Sequence, residues 1–353
     1  MRQWLVIEPL DTVSVRDGRA FDAGTHSTAR TVVPHPGTVA GAVGAAFRAR
    51  PGAGTDPAER GRSVPERLHG PVVVQRRSDR WRALFAAPRS MVRDGDTWTR
   101  LSPCGQDWSG VRHDQGGLVL LGGGDGDSGG WVSGPSLRRF LHDPAAVATA
   151  DPAPWTIERR VGLAREDDRT ARDGMLYAAE HLRPLVADGV DAVGFAVGCI
   201  AAPRTDLAGT VFFGGEGRRA AVHAWEDAGD VGPLPPRPSE PFDDGRLAMY
   251  LATPAALSWG WRPADAELRG ASLVAAAVGD PQVVAMARPE RRSGGLTHRR
   301  LLWCAPAGSV YFLKFANPAD AAAAATAWHG QCLTQTDETL RTAGFGLALT
   351  GRW

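Results

Sequence analysis

Lysine is almost missing from this chain of 353 residues, with Lys314 the only one. Nearly every cation is therefore arginine, whose planar fork suits bidentate contact with carboxylates and phosphates. Net charge is scarce too. At +1 there is no global pull toward nucleic acid or membrane. A phosphate-binding role must rest on local arginine clusters. The four cysteines, Cys104, Cys199, Cys304 and Cys332, form no C-x-x-C pair. A zinc site on paired cysteines is thus not expected, and reduced thiols are. No apolar run reaches the roughly 18 residues of a membrane span. Met1 leads straight into Trp4-Leu5-Val6-Ile7, without the charged and apolar regions of a signal peptide. A cytoplasmic protein with no membrane contact, no metal and no cofactor is expected.

The chain is 43% hydrophobic, enough for a sizeable core, and its length suits two domains or one with a large insertion. Short strand-like runs dominate, among them Pro71–Gln75, Trp81–Ala86, Val190–Ala201, Arg246–Thr253 and Ser309–Phe315. Helices are few. One is expected from Gly37-Thr38 to about Arg50, with Val39, Val43 and Phe47 on its buried stripe. A second follows Asn317 as N-cap, with Pro318 in the first turn and Gly330 past its end. Five prolines between Gly229 and Gly245 predict a stiff linker. This divides the chain into residues 1–228, with insertions at about 51–155, and residues 246–353: two α+β units.

Phe212-Phe213-Gly214-Gly215-Glu216-Gly217-Arg218-Arg219 reads as a strand entering a glycine turn and leaving with two arginines. Such a turn admits close backbone approach and can form an anion nest, or it is a tight hairpin with solvated arginines. Arg16-Asp17-Gly18-Arg19-Ala20-Phe21 offers two arginines and an aromatic on one turn, for a phosphate and a base, or a polar hairpin. The N-terminus of the helix at Gly37-Thr38 is a candidate anion site. Five arginines, at 159, 160, 165, 169 and 172, crowd one charged segment. Gly344-Phe345-Gly346 repeats the glycine turn before the last strand. Gly126-Asp127-Ser128-Gly129-Gly130 spells a serine-protease nucleophile loop, but without triad partners it reads as a flexible glycine-rich insertion.

Taken in order, several stretches resemble the third Cmr subunit, the RAMP protein that caps the 5′ end of the guide RNA in type III-B CRISPR systems. They are Ile7-Glu8-Pro9-Leu10-Asp11 with Arg16 to Phe21, Pro34-His35-Pro36-Gly37-Thr38-Val39-Ala40-Gly41, and Val161-Gly162-Leu163 with Thr170, Gly174, Leu176 and Tyr177. Phe213 to Arg218, Ala252-Thr253-Pro254-Ala255, Gly260-Trp261-Arg262-Pro263, Pro306 to Phe312 and Gly344 to Gly346 complete the series. Met286-Ala287 and an arginine loop at 288–300 stand where the family usually has Gly-Trp and a Pro-Lys pair.

The resemblance implies two ferredoxin-like (RRM-like) domains of the RAMP superfamily with inserted loops. It implies no catalysis, binding of the guide's 5′ handle, and contact with the large polymerase-like subunit and a backbone RAMP subunit. On that reading Arg16, Arg19, Arg165, Arg169, Arg218 and Arg219 meet phosphates and Phe21 a base. Gly37, Thr38 and Thr170 belong to the same surface, and Gly214, Gly215, Gly217, Gly344 and Gly346 admit close approach. Two other functions stay open. One is a metal-independent endoribonuclease with His26 or His35 as base. The other is a protein adaptor anchored by Trp259, Trp261 and the proline-rich segment.

Overall fold

The computed structural model describes residues 2–18, 28–48, 64–104, 117–186, 188–201, 207, 209–226, 232–239, 241–287 and 299–353. The chain is α+β. Its first large sheet is built from β1 (Arg2–Pro9), β3 (Arg67–Arg77), β4 (Arg80–Ala86), β9 (Trp131–Ser133), β12 (Ala192–Ile200), β13 (Gly209–Phe212) and β14 (Arg219–Ala224). The order is β13-β14-β1-β12-β3-β4-β9, and every pairing is antiparallel. A second sheet runs β16 (Ser272–Ala277), β19 (Val310–Lys314), β15 (Arg246–Leu251), β21 (Leu347–Gly351), β20 (Gln331–Cys332).

The inner strands are apolar on both faces because both faces are covered. In β1, Trp4 and Val6 enter a core shared with the second sheet, while Leu5 and Ile7 face the opposite way. β15 divides likewise: Ala248 and Tyr250 enter the shared core, and Leu247, Met249 and Leu251 the outer one. The two sheets therefore pack face to face. Helix α1 (Pro36–Arg48) covers the outer face of the first through Val39, Ala42, Val43 and Phe47. The alanine-rich helix α3 (Pro318–Trp328) covers the outer face of the second. Helix α2 (Gly134–His142) adds Leu137, Phe140 and Leu141 to the shared core. Asn317 caps α3 by accepting from the Asp320 N–H at 2.9 Å, as its sequence predicts.

Three sequence expectations change. Residues 67–86, placed inside an insertion, form β3 and β4 of the first sheet, because Val72, Val73 and Val74 are needed in its cores. The glycine-rich stretch at 122–130 is tied down. Asp127 exchanges backbone hydrogen bonds with Arg93 at 2.8 and 3.1 Å, and Arg89 donates to the Ser128 carbonyl at 3.2 Å. The proline-rich segment is packed across both halves. Leu234 sits in the shared core, and the Pro235 and Pro236 carbonyls lie 2.8 and 2.9 Å from the Nε2 atoms of His329 and His142.

Besides the short pairs of β5 (Met91–Asp94) with β6 (Thr97–Arg100) and β7 (Ser102–Pro103) with β8 (Leu121–Gly122), two longer hairpins among the described residues flank the sandwich. One joins β10 (Trp155–Arg165) to β11 (Ala171–Pro184), and β11 pairs in parallel with the short β2 (Thr28–Ala29). The other joins β17 (Gln282–Ala287) to β18 (Arg299–Cys304). A short helix absent from the sequence reading, α4 (Glu338–Ala343), precedes β21.

Candidate nucleic-acid interface

Period-two alternation along β10 puts Glu158 and Arg160 on one face and Ile157, Val161 and Leu163 on the other. The charged face meets the segment after β1 and the turn between β13 and β14. There Asp11 lies 2.7 Å from Arg218, 3.3 Å from Arg160 and 3.4 Å from Arg183. Glu158 bonds Arg160 at 2.6 Å and also pairs with Arg183. Three guanidiniums against two carboxylates leave one net positive charge.

The arginines acidify their partners. Hydrogen bonds from Arg183 and Arg160 pull the Glu158 carboxyl down to about 2. Burial opposes ionisation of Asp11, but Arg160, the Thr12 N–H and Arg183 outweigh it and hold its carboxyl below the usual range. Both stay ionised, so the three guanidiniums are held in fixed positions on a half-exposed surface.

The glycine turn is a clasp. Gly214 has φ +83°, and a Cβ there would come within 2.5 Å of the Ser14 carbonyl oxygen. The Gly215 N–H donates to that same oxygen at 2.7 Å. An anion nest needs free N–H groups, and this one is already engaged. Glu216 also places a carboxylate in the turn, 3.0 Å from His181 Nε2. Burial lowers the His181 pKa, outweighing Glu216, and Thr12 Oγ1 lies 3.0 Å from its Nδ1. The expected nest is therefore corrected to a backbone lock, with Gly217 exposed at its tip.

The two arginines of the motif part company. Arg218 is committed to Asp11. Arg219 is exposed, its guanidinium 5.4 Å from the ring of Phe212, itself 68% exposed. The neighbouring Phe213 is buried, so alternation alone separates a packing phenylalanine from a surface one.

Other predicted residues fall elsewhere. Arg165, Arg169 and Thr170 are exposed at the tip of the β10–β11 hairpin. At about 3.3 Å per residue, Arg165 lies roughly 16 Å along the strand from Arg160. Thr170 bonds Asp168 through its N–H and hydroxyl at 3.0 and 2.6 Å. Arg16 is exposed and bridges to Thr31. It is five positions along the chain from Asp11, so their Cα atoms are no more than about 18 Å apart. Arg19, Phe21 and His26 lie outside the described residues.

Gly37 and Thr38 open α1, but its N-terminus is covered. A Cβ on Gly37 would lie 2.5 Å from Met286 Sδ, and Thr38 Oγ1 is 3.3 Å from His35 Nε2. The departure from the family pattern at Met286 thus packs on this helix start. Gly344 and Gly346 are buried. Gly344, at φ +104°, ends α4, and a Cβ there would lie 2.3 Å from the Gly70 carbonyl oxygen. A Cβ on Gly346 would meet Gln335 Nε2 at 2.2 Å. The close approach these glycines permit is made by the protein's own chain, which removes them from an RNA groove.

The sequence assigns no site role to Asp11, Glu158, Arg160, Arg183 or Phe212, although Asp11 lies in a family motif, Arg160 in the charged segment and Phe212 at the head of the glycine turn. The i, i+2 spacing of Glu158 and Arg160 on a strand was the available signal. The family model described as CRISPR-associated protein (Cas_Cmr3) matches residues 5–353.

The chain belongs to the Cas_Cmr3 family.

Solved structures of low identity also align with this Cmr3-type protein. A chain of the cryo-EM structure of the type III-B Cmr-beta bound to cognate target RNA is 14% identical, with 88% of this chain and 86% of that chain covered, at a TM-score of 0.48. A chain of the same assembly bound to cognate target RNA and AMPPnP, state 1, is 13% identical over the same shares, at 0.47. No curated protein matches.

Among the described residues no group of three or more His, Cys, Asp or Glu side chains is placed to hold a metal ion. Among these residues no helix is long and apolar enough to cross a membrane.

Proposed function

We propose that this Cmr3-family chain is a non-catalytic, cytoplasmic, guide-RNA-binding subunit of a type III-B Cmr complex in CRISPR antiviral defence. It holds the guide's 5′ handle and contacts the large polymerase-like subunit and a backbone RAMP subunit. Its two sheet-and-helix halves are read as two ferredoxin-like domains of the RAMP superfamily.

The cluster of Arg160, Arg183 and Arg218 supports the RNA role most directly. Its guanidiniums are positioned before any ligand arrives, so binding phosphate costs little ordering of side chains. Arg219 and Phe212 add a stacking platform of the kind single-stranded RNA uses. The exposed apolar face of β10–β11, with Val161 69% and Leu176 60% exposed, can cover splayed bases or a neighbouring subunit. On the second half, Trp259 is 51% exposed with Arg262 stacked 4.4 Å from its ring. Trp and Arg are the residues that anchor protein interfaces, and this pair is the proposed subunit contact.

The endoribonuclease reading finds less support. His35 is buried, and burial drives its pKa to about 4, leaving a poor base out of reach of solvent. The test is binding of single-stranded handle RNA to Arg160→Ala/Arg218→Ala across a salt series. Loss of two phosphate contacts lowers the slope of log affinity against log salt by about 1.4. An unchanged slope and affinity would reject the cluster as an RNA site.

A further inference from the structure

A cavity of about 430 Å³ lies between the two halves. Residues 31–36, β3, β4, Trp131 and Trp155 form its wall on one side, and residues 252–254 and 306–307 on the other. Three stretches that carry the family resemblance, around His35, Thr253 and Pro306, therefore converge on one space. Its size falls within the range of small-ligand pockets, which pair apolar walls with a few polar groups.

Two features set it apart from a packing gap. The first is its aromatic wall: Trp131 and Trp155 lie edge to face with centroids 5.0 Å apart. The second is a pair of buried nitrogens without hydrogen-bond partners among the described residues, His35 Nδ1 and Arg89 Nε, from two residues that both line the cavity. Unpartnered buried polar atoms are rare and costly. His35 is 7% exposed, and its Nε2 faces Thr38. Its buried imidazole is neutral, so Nδ1 can donate or accept.

Ile157 and Leu182 also line the cavity and are cross-strand partners. The residues that follow them, Glu158 and Arg183, lie on the opposite face of the hairpin with the cation cluster.

We propose that this cavity binds a single nucleobase, stacked on the Trp131–Trp155 wall and met at its edge by His35 and Arg89. The base can belong to an RNA strand held at the foot of β10–β11, in which case the proposal rests on the function above, or to a free mononucleotide, in which case it does not.

The experiment uses the full chain. It is titrated with the four ribonucleoside monophosphates, and with a handle-length single-stranded RNA carrying one abasic position at a time. Ala307→Phe, which fills the cavity, and His35→Gln, which alters only one polar edge, are compared. Thermal melting reports folding, and His35→Gln carries the test if Ala307→Phe does not fold. Saturable binding of one mononucleotide, lost in either variant, supports the free-ligand form. If no mononucleotide binds, one abasic position must weaken RNA binding about fivefold or more. The variants must show that same loss with intact RNA and no further loss with the abasic one. If no mononucleotide saturates and no abasic position matters, the cavity proposal is overturned. In that event steep salt dependence of intact RNA binding leaves the proposed function standing, and absence of RNA binding removes both.

Discussion

Asp11→Asn separates an RNA-binding cluster from a merely structural one. Asp11 is the carboxylate shared by Arg218, Arg160 and Arg183 at 2.7, 3.3 and 3.4 Å. Asparagine keeps its shape and one acceptor oxygen but removes the charge. Its side chain is 42% exposed, so solvent screens these pairs, and the expected stability loss is about 1 kcal/mol. RNA binding should move the other way. The cluster's net charge rises by one, and releasing roughly one guanidinium to a phosphate steepens the log–log salt slope by about 0.7. Between 50 and 200 mM salt that is a further loss of roughly 2.5-fold relative to the parent, starting from tighter binding at low salt. Fluorescence anisotropy of labelled single-stranded RNA across that range reads both quantities, and urea unfolding reads stability. A variant that loses RNA affinity in step with stability, at an unchanged salt slope, would refute the assignment.

Gly344→Ala places a Cβ 2.3 Å from the Gly70 carbonyl at φ +104° and should cost roughly 2–4 kcal/mol in denaturant unfolding. Gly217→Ala, at φ +67° with no atom within 4 Å, should cost only about 1–2 kcal/mol. Phe212→Ala removes a ring 68% exposed. It should leave the melting temperature nearly unchanged while weakening RNA binding about fivefold or more. Burial holds the folded-state pKa of His35 at about 4, below the unfolded value of about 6.5. The unfolded chain therefore binds more protons in that window, and stability should fall as pH drops from about 6.5 to 4. His35→Phe should flatten this slope, apart from the part due to His69, whose pKa burial drives to about 3.

Residues whose surroundings are local were legible in the chain. Trp4 to Ile7 as a buried strand, Asn317 as a cap and Val39, Val43 and Phe47 as a helix stripe follow from periodicity and capping chemistry. The α+β class and the family motifs followed as well. Helix α4 escaped because six residues with one buried side chain, Leu340, show no periodicity. The candidate site divides in the same way. Arg218 and Arg219 were visible as cations, but their fates depend on what faces them. Asp11 is 207 residues from Arg218 in the chain and lies beside it only because β14 pairs with β1. The glycines likewise signalled close approach, which at Gly214 and Gly344 is made by the protein's own backbone. A glycine records only that something comes near. Tertiary packing decided that the neighbours are the carbonyls of Ser14 and Gly70, because antiparallel pairing and face-to-face sheets bring those distant backbones into contact.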